Sequence, residues 1–267
     1  MNTSQFPTSS GFAVGYIKPS GQPWQPILGS IVNQNGIDYV VVQGCIILGT
    51  VEEMNKLANE IQNQPALLTD ANAITQGTVI VGQGVRWPGN TVPYEIDGAL
   101  PNQNRVTDAI AEWEQKTNVK FSKHNGEPDF VVFVPAQDGC ASTVGRKGGR
   151  QEIWLSDNCS KGNAIHEIGH TLGLWHEQSR IDRDLFIEIL WANVDSSKRH
   201  NFDQHVHDGK DIGAYDFGSI MHYPAKAFSI NGSNTIRPRT SLPLGVVMGQ
   251  RSALSPGDIA TINAIYS

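Results

Sequence analysis

The chain has 267 residues, 39% of them hydrophobic and 17% charged, enough apolar material for one sizeable core or two lobes without disulfide support. A formal net charge of −6 with no Lys/Arg cluster excludes nucleic acid and anionic membrane as expected partners, because phosphates find no cationic footprint. No apolar run reaches the length of a membrane span; the longest, 39–42 and 130–135 among them, have strand length.

The start, MNTSQFPTSSGF, lacks a charged stretch followed by an apolar one, so a secretion signal is either missing from this sequence or already removed. The first ~75 residues read as a separate unit. Within it, IDYVVVQGCIILG (37–49) reads as strand. TVEEMNKLANEIQNQ (50–64) reads as an amphipathic helix with Thr50 as N-cap, Glu53 three residues on, and Val51, Met54, Leu57 and Ile61 along one face. Residues 63–84 are small and turn-forming with no lysine or arginine, which fits an exposed, cleavable connection. A boundary at 77 is expected, giving units 1–77 and 78–267.

The second unit opens with a strand at TVPYEID (91–97) and a helix near 104–117 that turns Val106, Ile110 and Trp113 inward. Strands follow at NVKFSKH (118–124), DFVVFV (129–134) and QEIWLS (151–156), which makes an α+β lobe. A helix around 163–172 leads into a loop-rich region, and PGDIATINAIY (256–266) forms a closing helical segment. Three cysteines, Cys45, Cys140 and Cys159, suggest one pair and one remainder, a pattern compatible with an oxidising compartment.

All eight histidines lie at or after His124, and the informative stretch is HEIGHTLGLWHEQSRIDRD, residues 166–184. His166 and His170 are one helical turn apart on one side, close enough to hold one ion, while Ile165, Ile168 and Leu172 anchor another side in the core. Gly173 can end the helix in a left-handed conformation and return His176 to the same ion. Three neutral nitrogens leave zinc an open position for water, and Glu167 is placed to take a proton from it. By composition alone H-E-x-x-H arises in about one chain of this length in a hundred. Gly173 and His176 at fixed spacing make coincidence rarer still. A single histidine is ordinarily a core or surface residue, and His124, His200, His205 and His207 are read so.

With the extension from Glu177 through Asp184, with AYDFGSIMHYP (214–224), GCASTVGRKGGRQ (139–151) and LSPGDIATINAIY (254–266), the chain resembles the astacin family of zinc metallopeptidases within the metzincins, over residues 85–267. The likeness is to the bacterial type with a single catalytic domain. It implies an α+β fold of two lobes with a zinc helix and a Met-turn, preceded by a small inhibitory pro-segment, and one catalytic Zn2+ held by His166, His170 and His176. It also implies Glu167 as base, Met221 as an apolar floor beneath the metal, and Tyr223 as an additional ligand that swings away to hydrogen-bond the developing oxyanion. Protein or peptide substrates, secretion and a monomeric state belong to the same expectation. His222 stays outside the metal shell.

Relatives from animals carry two catalytic-domain disulfides. Here only Cys140 and Cys159 remain, as a bridge that implies export or as two buried thiols. In the family the mature amino terminus pairs with the residue equivalent to Glu177; here that terminus would lie near Thr78. The plain alternative is a surface ion pair from Glu177 to Arg180 or Arg183. Family zymogens block zinc with an aspartate in a motif resembling F-x-G-D, and Val42-Gln43-Gly44-Cys45 fits it with Cys45 in the aspartate's place, as a thiolate ligand of the pro-form; Asp38 is the second choice. A silent binding protein on the same fold would have lost a ligand or the base, and none is lost. Lys198, Arg199 and Lys210 could favour acidic side chains in a substrate, but solvated surface charge is the preferred reading.

Overall fold

The computed structural model describes residues 6–17, 24–63, 85–205 and 210–267. In chain order the elements are β1 (Gly11–Ile17), β2 (Gln25–Gln34), β3 (Ile37–Val42), β4 (Ile46–Thr50), α1 (Val51–Asn63), β5 (Thr91–Ile96), α2 (Asn104–Lys116), β6 (Lys120–Lys123) and β7 (Phe130–Pro135). Then come β8 (Cys140–Ser142), β9 (Arg150–Leu155), α3 (Lys161–Thr171), β10 (Ile187–Ile189), β11 (Ile236–Pro238) and α4 (Pro256–Ile265).

Nine strands form one mixed sheet in the order β1-β2-β3-β4-β8-β9-β7-β5-β6. Strand β7, FVVFVP, is apolar on both faces because it lies inside a parallel block with β5 and β9, where neither face meets water. The amino-terminal strands β1 to β4 make an antiparallel meander, and β4 joins the remaining strands through one parallel pairing, Ile46 with Ser142 on β8. The α+β expectation holds, with a larger amino-terminal unit than a small docked element.

The expected single strand over 37–49 is instead a hairpin, β3 and β4 joined at Gln43–Cys45. Gln43 (φ 46°) and Gly44 (φ 73°) both take the left-handed conformation and reverse the chain. Apolar β-branched residues continue on both sides of the turn, so periodicity carries no mark of it. The following helix starts as expected: the Thr50 amide donates to Glu53 Oε2 at 2.8 Å and the Glu53 amide to Thr50 Oγ1 at 3.0 Å, a reciprocal cap, and Met54 and Ile61 are buried. The boundary expected at 77 lies outside the described residues.

Two apolar cores flank this sheet. One gathers Trp87, Val106, Ile110, Trp113, Phe133 and Ile165 between the parallel strands and the helices α2 and α3. The other joins Val40, Ile46 and Leu48 of the meander to Phe202, Tyr223 and Ile236, so the amino-terminal unit shares its core with the last third of the chain.

The placement of α3 follows from contacts made before it begins. The buried Arg105 guanidinium on α2 donates to the carbonyls of Ser156 (2.7 Å) and Cys159 (2.5 Å), and Ser160 caps α3 reciprocally with Asn163. Cys140 on β8 is bridged to Cys159 at a Cα separation of 6.2 Å, tying the sheet to the entry of α3. Replacing both cysteines by serine is expected to lower stability by about 3 kcal/mol, the value for closing a loop of this length, measured as a shift in the denaturant midpoint. An unchanged midpoint would remove the bridge from the stability of this region.

Candidate metal centre

His166 and His170 project from the buried α3, and Gly173 (φ 104°) ends the helix as expected, returning His176 to them. All three rings are buried. Each offers its Nδ1–H outward: His166 to the Ile220 carbonyl (2.8 Å), His170 to the Leu174 carbonyl (2.7 Å), and His176 to Gln43 Oε1 (2.8 Å). These acceptors fix the tautomer, so three Nε2 lone pairs converge. Burial pushes all three imidazoles well below their ordinary pKa, His170 to about 3, and so holds them neutral, the state in which histidine binds a metal.

Cys45, in the turn between β3 and β4, completes the group. Its Sγ lies 3.7, 3.4 and 3.3 Å from Nε2 of His166, His170 and His176, and the His166 and His176 Nε2 atoms are 3.2 Å apart. A tetrahedral zinc with Zn–N near 2.0–2.1 Å and Zn–S near 2.3 Å demands edges of about 3.3 Å and about 3.6 Å. Four buried donors at this spacing fit zinc, and without a cation their lone pairs would repel. Burial, reinforced by the neighbouring Glu167 charge, pushes the thiol's pKa up; a divalent cation would reverse that. Asp38 lies elsewhere: it is exposed and accepts from Asn33 Nδ2 at 2.7 Å, which removes it as an alternative ligand.

Glu167 is 2% exposed, and its Oε2 has no hydrogen-bond partner among the described residues. Burial lifts its carboxyl well above the ordinary range, partly opposed by the Arg251 charge. Met221 packs against the same helix: a Cβ on Gly169 would lie 2.6 Å from its Sδ, so this floor is reached only beneath a glycine. Tyr223 is fully buried, and its hydroxyl donates to the Gln43 carbonyl. His222 bonds Tyr215 and the Tyr223 carbonyl, away from the group, as expected.

Three residues at the site went unread in the sequence. Gln43 spends its whole carboxamide here, accepting from His176 and donating to His205 (2.6 Å) and the Asp203 carbonyl (3.2 Å). His205, read as an ordinary core or surface histidine, is a core one: it is buried and stacks on Trp175 at 3.6 Å. Arg251 Nη1 donates to the carbonyls of Ile220 (2.8 Å) and His222 (3.2 Å), and the cap residue Asp258 of α4 accepts from Ser219 Oγ (2.6 Å) and the Ile220 amide (2.9 Å). Together Arg251 and Asp258 hold the methionine turn, and the Ile220 carbonyl they steady is the one that orients His166. The only available signal was the pairing of Ser255 with Asp258 as a helix cap.

Glu177 is half-buried and lines a cavity of about 220 Å3 with Trp175, Arg86, Ile212 and Ile265. It accepts from the Asp216 amide at 2.8 Å, with Arg180 Nη1 3.7 Å away. Burial outweighs that ion pair and lifts its carboxyl to about 8. Arg183 turns instead to Asp184 and to backbone carbonyls.

Metzincin zinc metallopeptidases are built on this plan, a histidine pair and glutamate on one helix with a third histidine past a glycine and a methionine turn underneath, and the chain falls in that class. Residues 80–267 match the family model described as Astacin, a peptidase family. The chain is 41% identical over 189 residues to zinc metalloproteinase nas-13 of Caenorhabditis elegans, covering 68% of this chain and 41% of that protein. It is 38% identical to Tolloid-like protein 1 of Mus musculus, covering 67% of this chain and 19% of that one. It thus spans less than half the length of either curated relative. Among solved structures it is similar to high choriolytic enzyme 1, a hatching enzyme zinc-protease from Oryzias latipes (TM-score 0.61, 34% identity, 68% of this chain and 92% of that one). It shares its fold with myroilysin (TM-score 0.50, 22% identity, 70% and 97%). The chain belongs to the astacin family.

Proposed function

We propose that this chain is an exported zinc endopeptidase kept silent by residues 1–77 and released by cleavage. The observation that carries this reading is Cys45 Sγ closing a four-donor group with His166, His170 and His176. A thiolate there leaves no position for water, which is the coordination of a structural zinc site and not of a catalytic one. Gln43 reinforces the block, since its side chain holds His176 and its carbonyl occupies the Tyr223 hydroxyl. Strand β4 also covers β8, where the Ser142 amide donates to the Cys45 carbonyl at 2.9 Å; with β4 gone, that edge is free to pair with an extended peptide.

Zinc held by the three histidines would supply Lewis acidity to a water and to the scissile carbonyl. Glu167 accepts the proton of the attacking water and returns it to the leaving amine. Tyr223, once freed from Gln43, donates its O–H to the carbonyl oxygen as charge develops there. Met221 and the Ile220 carbonyl hold the histidines in place meanwhile. Casein incubated with the processed protein, with and without a chelator, tests this: chelator-sensitive cleavage is expected, and casein left intact without chelator would sink the peptidase reading. The Cys140–Cys159 bridge supports an oxidising destination. Among the described residues no helix is long and apolar enough to cross a membrane.

Maturation is expected near Thr78, a position outside the described residues. The new terminal ammonium would find the Glu177 carboxyl, whose pKa burial raises despite Arg180 at 3.7 Å and which lines a cavity of about 220 Å3. No Lys or Arg occurs between Lys56 and Arg86, so the activating protease cuts after small or apolar residues. Amino-terminal sequencing of the mature form should begin within about ten residues of Thr78; a start right after Lys56 or Arg86 would refute this.

A further inference from the structure

We infer that the aromatic pocket holding Phe6 is a substrate side-chain pocket of the activated enzyme, that it selects peptides with an aromatic residue beside the scissile bond, and that Phe228 is its specificity-determining residue. The inference rests on the zymogen reading above, in which the segment carrying Phe6 leaves. Phe6 is 9% exposed, stacked on Phe228 at 4.6 Å and 17° and edge-on to Tyr223 at 5.2 Å. The Tyr223 ring is itself 4.6 Å from His176, so the pocket lies one ring away from the metal-binding group. Phe202 backs both rings, at 6.0 Å from Phe228 and 5.8 Å from Tyr223. Such offset and edge-on rings favour a further aromatic guest over an aliphatic one.

The surroundings are built to admit a chain here. A Cβ on Gly139 would lie 2.3 Å from the Pro7 nitrogen and 2.6 Å from the Phe6 carbonyl carbon, so this wall accepts a backbone only because it has no side chain. Asp138 beside it accepts from the Thr8 hydroxyl. Phe228 holds φ at 54°, a left-handed conformation that a bulky side chain rarely adopts. The Asp195 amide bonded to its carbonyl (3.0 Å) and the bridge between Val194 and Ser229 keep it there. Backbone strain of this kind persists where the surrounding structure imposes it, and it gathers at binding sites. Of the residues around Phe6, Ser30, Val32, Val41 and Gly44 belong to the departing segment, whereas Tyr223, Phe202, Phe228 and Gly139 would remain as an apolar recess.

One competing chemistry is present. Lys198 donates to Ser9 Oγ at 2.6 Å and lies 3.5 Å from Ser30 Oγ, two hydroxyls of the departing segment, so its ammonium would be released near the same recess and could attract an acidic side chain. The rings make the closer and more enclosed contact with Phe6, and they decide the choice.

The test is digestion of a random peptide library by the full chain after activating cleavage, with sequencing of the fragments. Peptides differing only in Phe, Ala or Asp at the enriched position are then compared by kcat/KM. Aromatic residues should be enriched at one position next to the cut, with Phe exceeding Ala by roughly 10- to 100-fold. Phe228→Gly removes the ring and suits the left-handed backbone, and it should collapse that ratio to within a few-fold. If that variant does not fold, the peptide series on the unaltered enzyme decides alone. A flat series, an enrichment of acidic residues, or a Phe preference surviving in a folded Phe228→Gly enzyme would overturn the pocket and leave the peptidase reading standing. Absence of any cleavage would overturn both.

Discussion

Glu167→Ala in the activated enzyme is expected to lower turnover by roughly 10²- to 10⁴-fold, the range for losing a positioned general base, while one zinc per chain is retained. The side chain lies beside His166 on α3 and is not a member of the four-donor group, so its loss leaves the ligands and their backbone acceptors in place. Its Oε2 is buried with no partner among the described residues, a position that normally exacts a penalty and is tolerated where a reacting group will be met. Removing a buried, unpaired carboxyl should also leave the fold unharmed or slightly more stable. Metal content by elemental analysis and kcat on one peptide decide the matter together. A variant that keeps zinc and cuts at near the parent rate would remove Glu167 from the reaction; one that loses zinc would make it a ligand or a support for one.

Cys45→Ala is expected to unlock the uncleaved chain. Structural zinc sites bind with roughly 10–16 kcal/mol over four ligands, so one ligand lost corresponds to roughly 3 kcal/mol and on the order of 100-fold in the open fraction. Peptide hydrolysis by intact Cys45→Ala protein should therefore rise far above that of the parent, or the variant should process itself prematurely. The rise stops short of full activity, because Gln43 and the shared apolar core still hold the segment in the cleft. X-ray absorption on the parent pro-form should show one sulfur at about 2.3 Å from zinc, lost in the variant. A metal shell of nitrogen and oxygen alone in the parent would end the thiolate reading, leaving Cys45 a buried small hydrophobe.

The sequence by itself determined the elements whose signals are local. The cap of α1 at Thr50 and Glu53, the inward face of α2, and the spacing of His166, His170, Gly173 and His176 were legible because helical period and residue type decide them within a few residues. Cys45 was singled out as a candidate donor only through the likeness of Val42-Gln43-Gly44-Cys45 to the family's zymogen motif, and the reversal that presents it was not read: apolar β-branched residues stand on both sides of Gln43–Cys45, and nothing periodic marks the turn. Only the tertiary structure decided what surrounds the site. Gln43 meets His176 across 133 positions, Arg251 steadies the Ile220 carbonyl from 31 residues away, and Phe6 finds its recess beside Tyr223. Hydrogen bonds and ring contacts of this kind depend on where the sheet delivers β4 against β8 and on how the last helix caps the methionine turn, and no local pattern of polarity encodes either.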